Sequence, residues 1–216
     1  MGELTELIRS ERLVLADFLE TLTPDEWATP SLCGEWRVQD VAAHLTFAPV
    51  VPRGEMLGGL LRYGFRVNKA SAEVSKKWAQ RGPAEIIQQL RTNAAAGAKP
   101  AGVPEIAALV DTVVHSLDIR VPLGKLRTIP PEVFAPVADF SVSIRWPMTI
   151  SVGRNARKRL QGLRLVADDY DWSYGEGAQV NASGVTVLRV LNGRPVARTE
   201  LTGPGADQLY AAQPKG

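Results

Sequence analysis

The sequence predicts an α+β protein that is mainly α, with a four-helix bundle over residues 1–148 and a small α/β domain over residues 149–216. Three observations support this. Four long stretches before Leu123 carry apolar residues at helical spacing, and most are bounded by proline or glycine. Beyond the bundle the texture shifts to one short strand-like run, a glycine turn and a short helix. A chain of 216 residues is also long enough to bury a sizeable core.

The first helix is expected over residues 3–22, where Leu4, Leu7, Ile8, Val14, Leu15, Phe18 and Leu22 fall on one face. Thr23 followed by Pro24 reads as an N-cap with proline at the first helical position. Residues 29–34 form a connector, and a second helix runs from near Arg37 through His44 towards Phe47, where Pro49 and Pro52 break it. The apolar, glycine-rich run from Met56 to Phe65 reads as a helix continuing towards Lys69. Pro83 opens the third long helix, with Ile86, Ile87 and Leu90 inward, and the fourth spans about Pro104 to Val121. One more helix, about Glu132 to Ile144, ends near Trp146 and Pro147. In the last segment, Leu163 to Ala167 is strand-like, residues 174–177 form a turn, and Ala182 to Leu191 is a helix stopped at Asn192 and Gly193.

A formal charge of +2 and an isoelectric point near 8.8 give no basis for nucleic-acid binding. A single cysteine, Cys33, excludes an internal disulfide framework and fits a reducing cytosol. The N-terminus lacks the basic flank and apolar stretch of a signal peptide, and no apolar run is long enough to span a bilayer. The expected setting is cytoplasmic, with neither nucleic acid nor membrane as a partner.

The chemistry concentrates on the two histidines, each four residues after an aspartate: Asp40 with His44, and Asp111 with His115. On a helix this spacing puts carboxylate and imidazole on one face, where both can hold one divalent ion. Against this, His44 sits among apolar neighbours, as a hydrogen-bonded core histidine would. Asp111 and His115 lie off the main apolar stripe, as a solvated pair would. His44, Asp111 and His115 together make a three-ligand set of the catalytic zinc type, with the fourth position open. Asp40 and Asp118 are candidates for fixing an imidazole tautomer through the other ring nitrogen. Cys33 reads as a small buried hydrophobe, Trp36 as a packing residue, and the basic run from Arg154 to Arg164 as a solvated face. There is no Walker loop, nucleophile elbow or dinucleotide fingerprint.

The run Thr29-Pro-Ser-Leu-Cys-Gly-Glu-Trp-Arg-Val-Gln-Asp-Val-Ala-Ala-His-Leu45 resembles the signature of the DinB/YfiT-like metalloproteins. More narrowly, it resembles that of the mycothiol-dependent maleylpyruvate isomerase family. The segment from Asp111 to Gly124 is similar to that family's second motif, and parts of residues 163–194 are similar to its smaller C-terminal domain. The resemblance implies a DinB-like four-helix bundle and a divalent ion, zinc in type, held by His44, Asp111 and His115. It further implies mycothiol or a similar thiol as cosubstrate and a substrate-contacting role for Arg194. Asp111 stands where the characterised isomerase has glutamate, and Arg37 where a Ser or Thr cap is common. The expected function is an enzyme, a thiol-dependent isomerase or transferase, in which an activated thiolate attacks a small electrophile. A metal-dependent hydrolase and a non-catalytic small-ligand-binding protein are the alternatives. Bundles of this kind often pair through a helix face, so a homodimer is an expected arrangement.

Overall fold

The computed structural model describes residues 2–47, 49–51, 54, 58, 61, 62, 64, 67–100, 102–145 and 155–213. The helix expected over Met56 to Phe65, its breaker Pro52, the helix stop at Trp146 and Pro147, and Arg154 lie wholly or mostly outside the described residues. The chain divides into two compact units, Met1–Leu126 and Arg127–Gly216. Both together give the expected class, mainly helical with one small sheet.

The first unit contains α1 (Glu3–Glu20), α2 (Pro24–Ala28), α3 (Val38–Phe47), α4 (Val67–Ala79), α5 (Pro83–Ala95) and α6 (Glu105–Arg120). Thr23 caps α2 in a reciprocal box with Glu26, as its position before proline suggested. Helix α3 is the hub, packing against α4, α5 and α6. Its Ala42 and Ala43 are fully buried, and such small side chains let neighbouring backbones approach closely. Around it Leu15, Leu19, Trp27, Val41, Val74, Trp78, Leu90 and Ile119 form one apolar cluster. Arg12 of α1 donates through Nη1 to Ala98 O at 2.5 Å and Asn93 O at 3.5 Å, occupying carbonyls at and beyond the end of α5.

Helix α4 was not expected as a core element. Its buried apolar side chains are Ala70, Val74, Trp78 and Ala79, a narrow stripe set in a sequence rich in lysine and serine. So thin a stripe carries little periodic signal.

The second unit contains α7 (Pro131–Ser143), a short turn α8 (Ala156–Arg159), β1 (Leu163–Ala167), β2 (Ser173–Gly175), β3 (Ala178–Ala182), α9 (Gly184–Leu191) and α10 (Ala206–Ala211). The sheet order is β2-β1-β3, with β2 antiparallel and β3 parallel to β1. Leu163, Leu165, Val180 and Ala182 bury one face, and α9 packs on β1 and on α7. Helix α7, expected to belong with the bundle, thus packs within the second compact unit. Tyr170 stacks on Phe134 of α7 with ring centroids 3.9 Å apart, and its hydroxyl donates to Ile129 O at 2.7 Å. Trp172 Nε1 donates to Asp139 Oδ1 at 2.9 Å, a second tie between the sheet and α7.

The basic run is not simply a solvated face. Arg157 donates to Val142 O at 2.7 Å, and Arg159 to Val190 O and Leu191 O, each at 2.9 Å. These carbonyls end α7 and α9, where a cation also complements the helix dipole.

Candidate metal centre

Three side chains named from the sequence meet inside the first unit. Asp111 Oδ1 lies 3.7 Å from His44 Nε2 and 3.4 Å from His115 Nε2. The three candidate ligand atoms lie within 4.8 Å of one another. Helix α3 supplies His44, while α6 supplies Asp111 and His115 one turn apart. The imidazoles meet edge to face, with centroids 4.9 Å apart.

Each imidazole has its other nitrogen engaged. His115 Nδ1 lies 2.8 Å from Asp118 Oδ2, and Asp118 is fully buried. An anionic carboxylate can only accept, so it fixes a proton on Nδ1 and leaves Nε2, which faces Asp111, as the nitrogen that a metal would take once its own proton is displaced. His44 Nδ1 lies 3.4 Å from Ser71 Oγ and 3.5 Å from Ser75 Oγ. Ser75 already donates to Ser71 O at 2.8 Å, so its oxygen faces His44 as an acceptor, and His44 also turns Nε2 to the centre. Asp118 therefore does what was expected of it, and Asp40 does not. Asp40 accepts from Arg37 N at 2.9 Å and from the Arg37 guanidinium at 3.2 Å, capping α3. The cap therefore comes from the Asp40 carboxylate, and the Arg37 guanidinium, which cannot accept, pairs with that carboxylate instead.

The donor set fits a zinc-type ion. Metal bonds of about 2.1 Å in tetrahedral geometry set neighbouring donors roughly 3.4 Å apart, close to the 3.4 and 3.7 Å that separate Asp111 Oδ1 from the two imidazole nitrogens. Two neutral imidazoles and one carboxylate with a vacant fourth position is a donor set of the catalytic kind. Asp111, with a side chain 39% exposed, gives the centre an open side, whereas His44 and His115 are 16% and 13% exposed.

Charge is distributed accordingly. Loss of water around Asp111 opposes its ionisation, but hydrogen bonds and charge from His115, and then from His44, hold its carboxyl well below the usual range. Burial likewise opposes a charged His115, yet Cys33, Asp111 and Asp118 hold it well above the ordinary 6.5.

Reading the sequence missed the part that four further residues play. Trp36 lies against both imidazoles, with centroids 5.3 Å from His44 and 6.4 Å from His115. Ser71 and Ser75 come from α4, and their four-residue spacing was the one available signal. Cys33 is more than a small buried hydrophobe: its Sγ lies 2.9 Å from Asp118 Oδ2 and 3.6 Å from His115 Nδ1. Arg194 lies in the second unit, where its Nη1 donates to Asn192 O at 2.8 Å.

Residues 8–102 match the family model described as the mycothiol maleylpyruvate isomerase N-terminal domain, a span that includes His44 but not Asp111 or His115. Among solved structures, the chain is similar to a crystal structure of the mycothiol-dependent maleylpyruvate isomerase. That likeness has 17% identity and a TM-score of 0.51, and it covers 95% of this chain and 97% of the other. A point mutant of the isomerase of that name gives 16% identity over the same shares, with a TM-score of 0.49. No curated protein matches the chain. At this identity the structural likeness establishes a shared fold. Residues 8–102, the part of the chain that carries the first histidine motif, are thus similar to the mycothiol maleylpyruvate isomerase N-terminal domain, and the chain as a whole shares the fold of the isomerase crystal structure.

Proposed function

We propose that the protein is a metal-dependent enzyme that uses a low-molecular-weight thiol, mycothiol or a close analogue, to isomerise a small electrophile. The observation that carries this reading is the convergence of His44 Nε2, His115 Nε2 and Asp111 Oδ1, with both Nδ1 atoms engaged by other side chains. The family match of residues 8–102 supports the thiol as cosubstrate.

A zinc-type ion held by these residues would supply Lewis acidity, which turns a coordinated thiol into a thiolate at neutral pH. The chain's own residues do the rest. Asp118, Ser71 and Ser75 hold the imidazoles in the tautomer and orientation that ligation requires. Trp36 and Phe47 wall them with aromatic surface, Phe47 lying edge-on to His44 at 5.4 Å. The exposed edge of Asp111 leaves an approach for the thiol and the electrophile. By resemblance, Arg194 is assigned to a carboxylate on the electrophile, and Arg194→Ala should then raise KM for an acidic substrate more than it lowers kcat. None of the described helices is long and apolar enough to cross a membrane, and the proposed setting is the cytoplasm, where a thiol pool is kept reduced.

The test is elemental analysis of the purified protein beside His44→Ala and His115→Ala, with a turnover assay in the presence and absence of mycothiol. About one ion per chain in the wild type, lost in both variants, and turnover only with thiol are expected. Metal retained in both variants would overturn the centre. Turnover without any thiol would select a hydrolase.

A further inference from the structure

Cys33 has no part in the three-ligand set, yet the chain spends a tightly tied loop on placing it. Pro30 and Arg37 bridge the ends of that loop, Ser31 N donates to Trp36 O at 2.8 Å, and Trp36 N donates to Cys33 O at 3.1 Å. Gly34 takes a positive φ of 57°, which a side chain would disfavour. Leu32 N donates to the backbone carbonyl of Asp118 at 3.1 Å, so the loop is moored to the residue that Cys33 meets. The thiol then reaches Asp118 Oδ2, the same oxygen that lies 2.8 Å from His115 Nδ1.

A carboxylate bonded to Nδ1–H pushes electron density through the imidazole ring and makes Nε2 the better metal ligand. A second donor on the same oxygen draws that charge away. We propose that Cys33 is a positioning residue that acts through Asp118 to loosen the hold of His115 on the ion, keeping that ion more electron-poor and a stronger activator of thiols. The inference rests on the metal reading above and names the regulation of that same centre.

The sign of the effect separates this role from a structural one. Loss of a merely structural side chain would weaken metal binding. Loss of the Cys33 thiol is expected to strengthen it, by about five-fold for one hydrogen bond of ordinary worth. The experiment measures the Zn²⁺ dissociation constant by competition with a chromophoric chelator. It compares the wild type with Cys33→Ala, Cys33→Ser, Asp118→Asn and the double variant Cys33→Ala/Asp118→Asn. Asp118→Asn should weaken binding roughly 10- to 100-fold. In that background Cys33→Ala should change nothing, because the charge it shares is gone. Cys33→Ser restores a donor and should return affinity to near the wild-type value, which keeps the test intact if the alanine variant does not fold.

Unchanged or weaker binding in Cys33→Ala overturns the proposal, as does a gain that persists without the Asp118 charge. A thiolate-to-metal charge-transfer band in the Co²⁺-loaded wild type would make Cys33 a ligand and also overturn it. Wild-type protein that takes up no Zn²⁺, or His44→Ala that still does, overturns the metal reading itself. The two failures are thereby distinguished.

Discussion

Ser71 Oγ stands 3.4 Å from His44 Nδ1, so the imidazole of α3 is aimed by a hydroxyl on α4. With Ser75 at 3.5 Å on the next turn, two oxygens share one ring nitrogen. Either serine alone should therefore be dispensable to within a few-fold. Ser71→Ala/Ser75→Ala should lower Zn²⁺ affinity by roughly 10- to 100-fold, as loss of an outer hydrogen-bond partner does elsewhere. Chelator competition on the single and double variants checks this, and additive single effects would show that the two hydroxyls act separately.

Metal binding should release a proton. His115 sits well above 6.5 in the metal-free protein, so near pH 7 it carries a proton that ligation must displace. Asp111 is held far below its usual range and has none to give. Calorimetric titration with Zn²⁺ in buffers of different ionisation enthalpy should give about one proton per ion from His115. Affinity should fall as pH drops below the His115 value. In the metal-free protein the sign for stability is opposite. The interactions of protonated His115 with its carboxylate partners contribute fully below about 6.5, the unfolded value. That contribution fades as pH climbs through the raised folded value.

Asp40 and Asp118 should part company under mutation. Asp40 accepts the N-terminal backbone N–H of α3, so Asp40→Ala should cost about 1 kcal/mol of stability, the usual worth of a helix cap. It should leave Zn²⁺ affinity at the wild-type value. Denaturant melts paired with chelator competition separate the two readouts, and a drop in affinity would return Asp40 to the metal centre.

In the second unit, Gly184 opens α9 with its backbone N–H on Asp169 Oδ1 at 2.6 Å. A Cβ there would run into the Tyr170 ring and stand 2.9 Å from Phe134 Cε2. Since those rings are stacked on each other, neither can swing aside freely. Gly184→Ala should destabilise by about 1–3 kcal/mol through overpacking. Chemical denaturation followed by tryptophan fluorescence should show an earlier transition, Trp172 being within the affected cluster.

Much of this was legible in the sequence where one residue type answers one physical demand. Thr23 before Pro24 could hardly be other than a cap, and Gly193, with φ of 71°, stops α9 where Asn192 and Gly193 suggested. The Asp111 and His115 pair followed from helical periodicity alone. What escaped depends on the partner across the gap. Strands β2 and β3 are three and five residues long, and β1 pairs with both, so their identity lies in the pairing. Helix α4 hides its buried stripe among lysines and serines. Cys33 gains its role from Asp118, 85 residues further along, and no local pattern announces such a meeting.

The loop from Thr29 to Arg37 leaves little slack. Its backbone closes on itself and on the end of α6, while Cys33 and Trp36 touch the same imidazole from opposite sides of one turn. Lengthening it by a single residue would slide sulfur and indole out of phase with His115 together. The span between α2 and α3 is thus a gauge block: it sets the spacing of the parts around it and tolerates substitution far better than insertion.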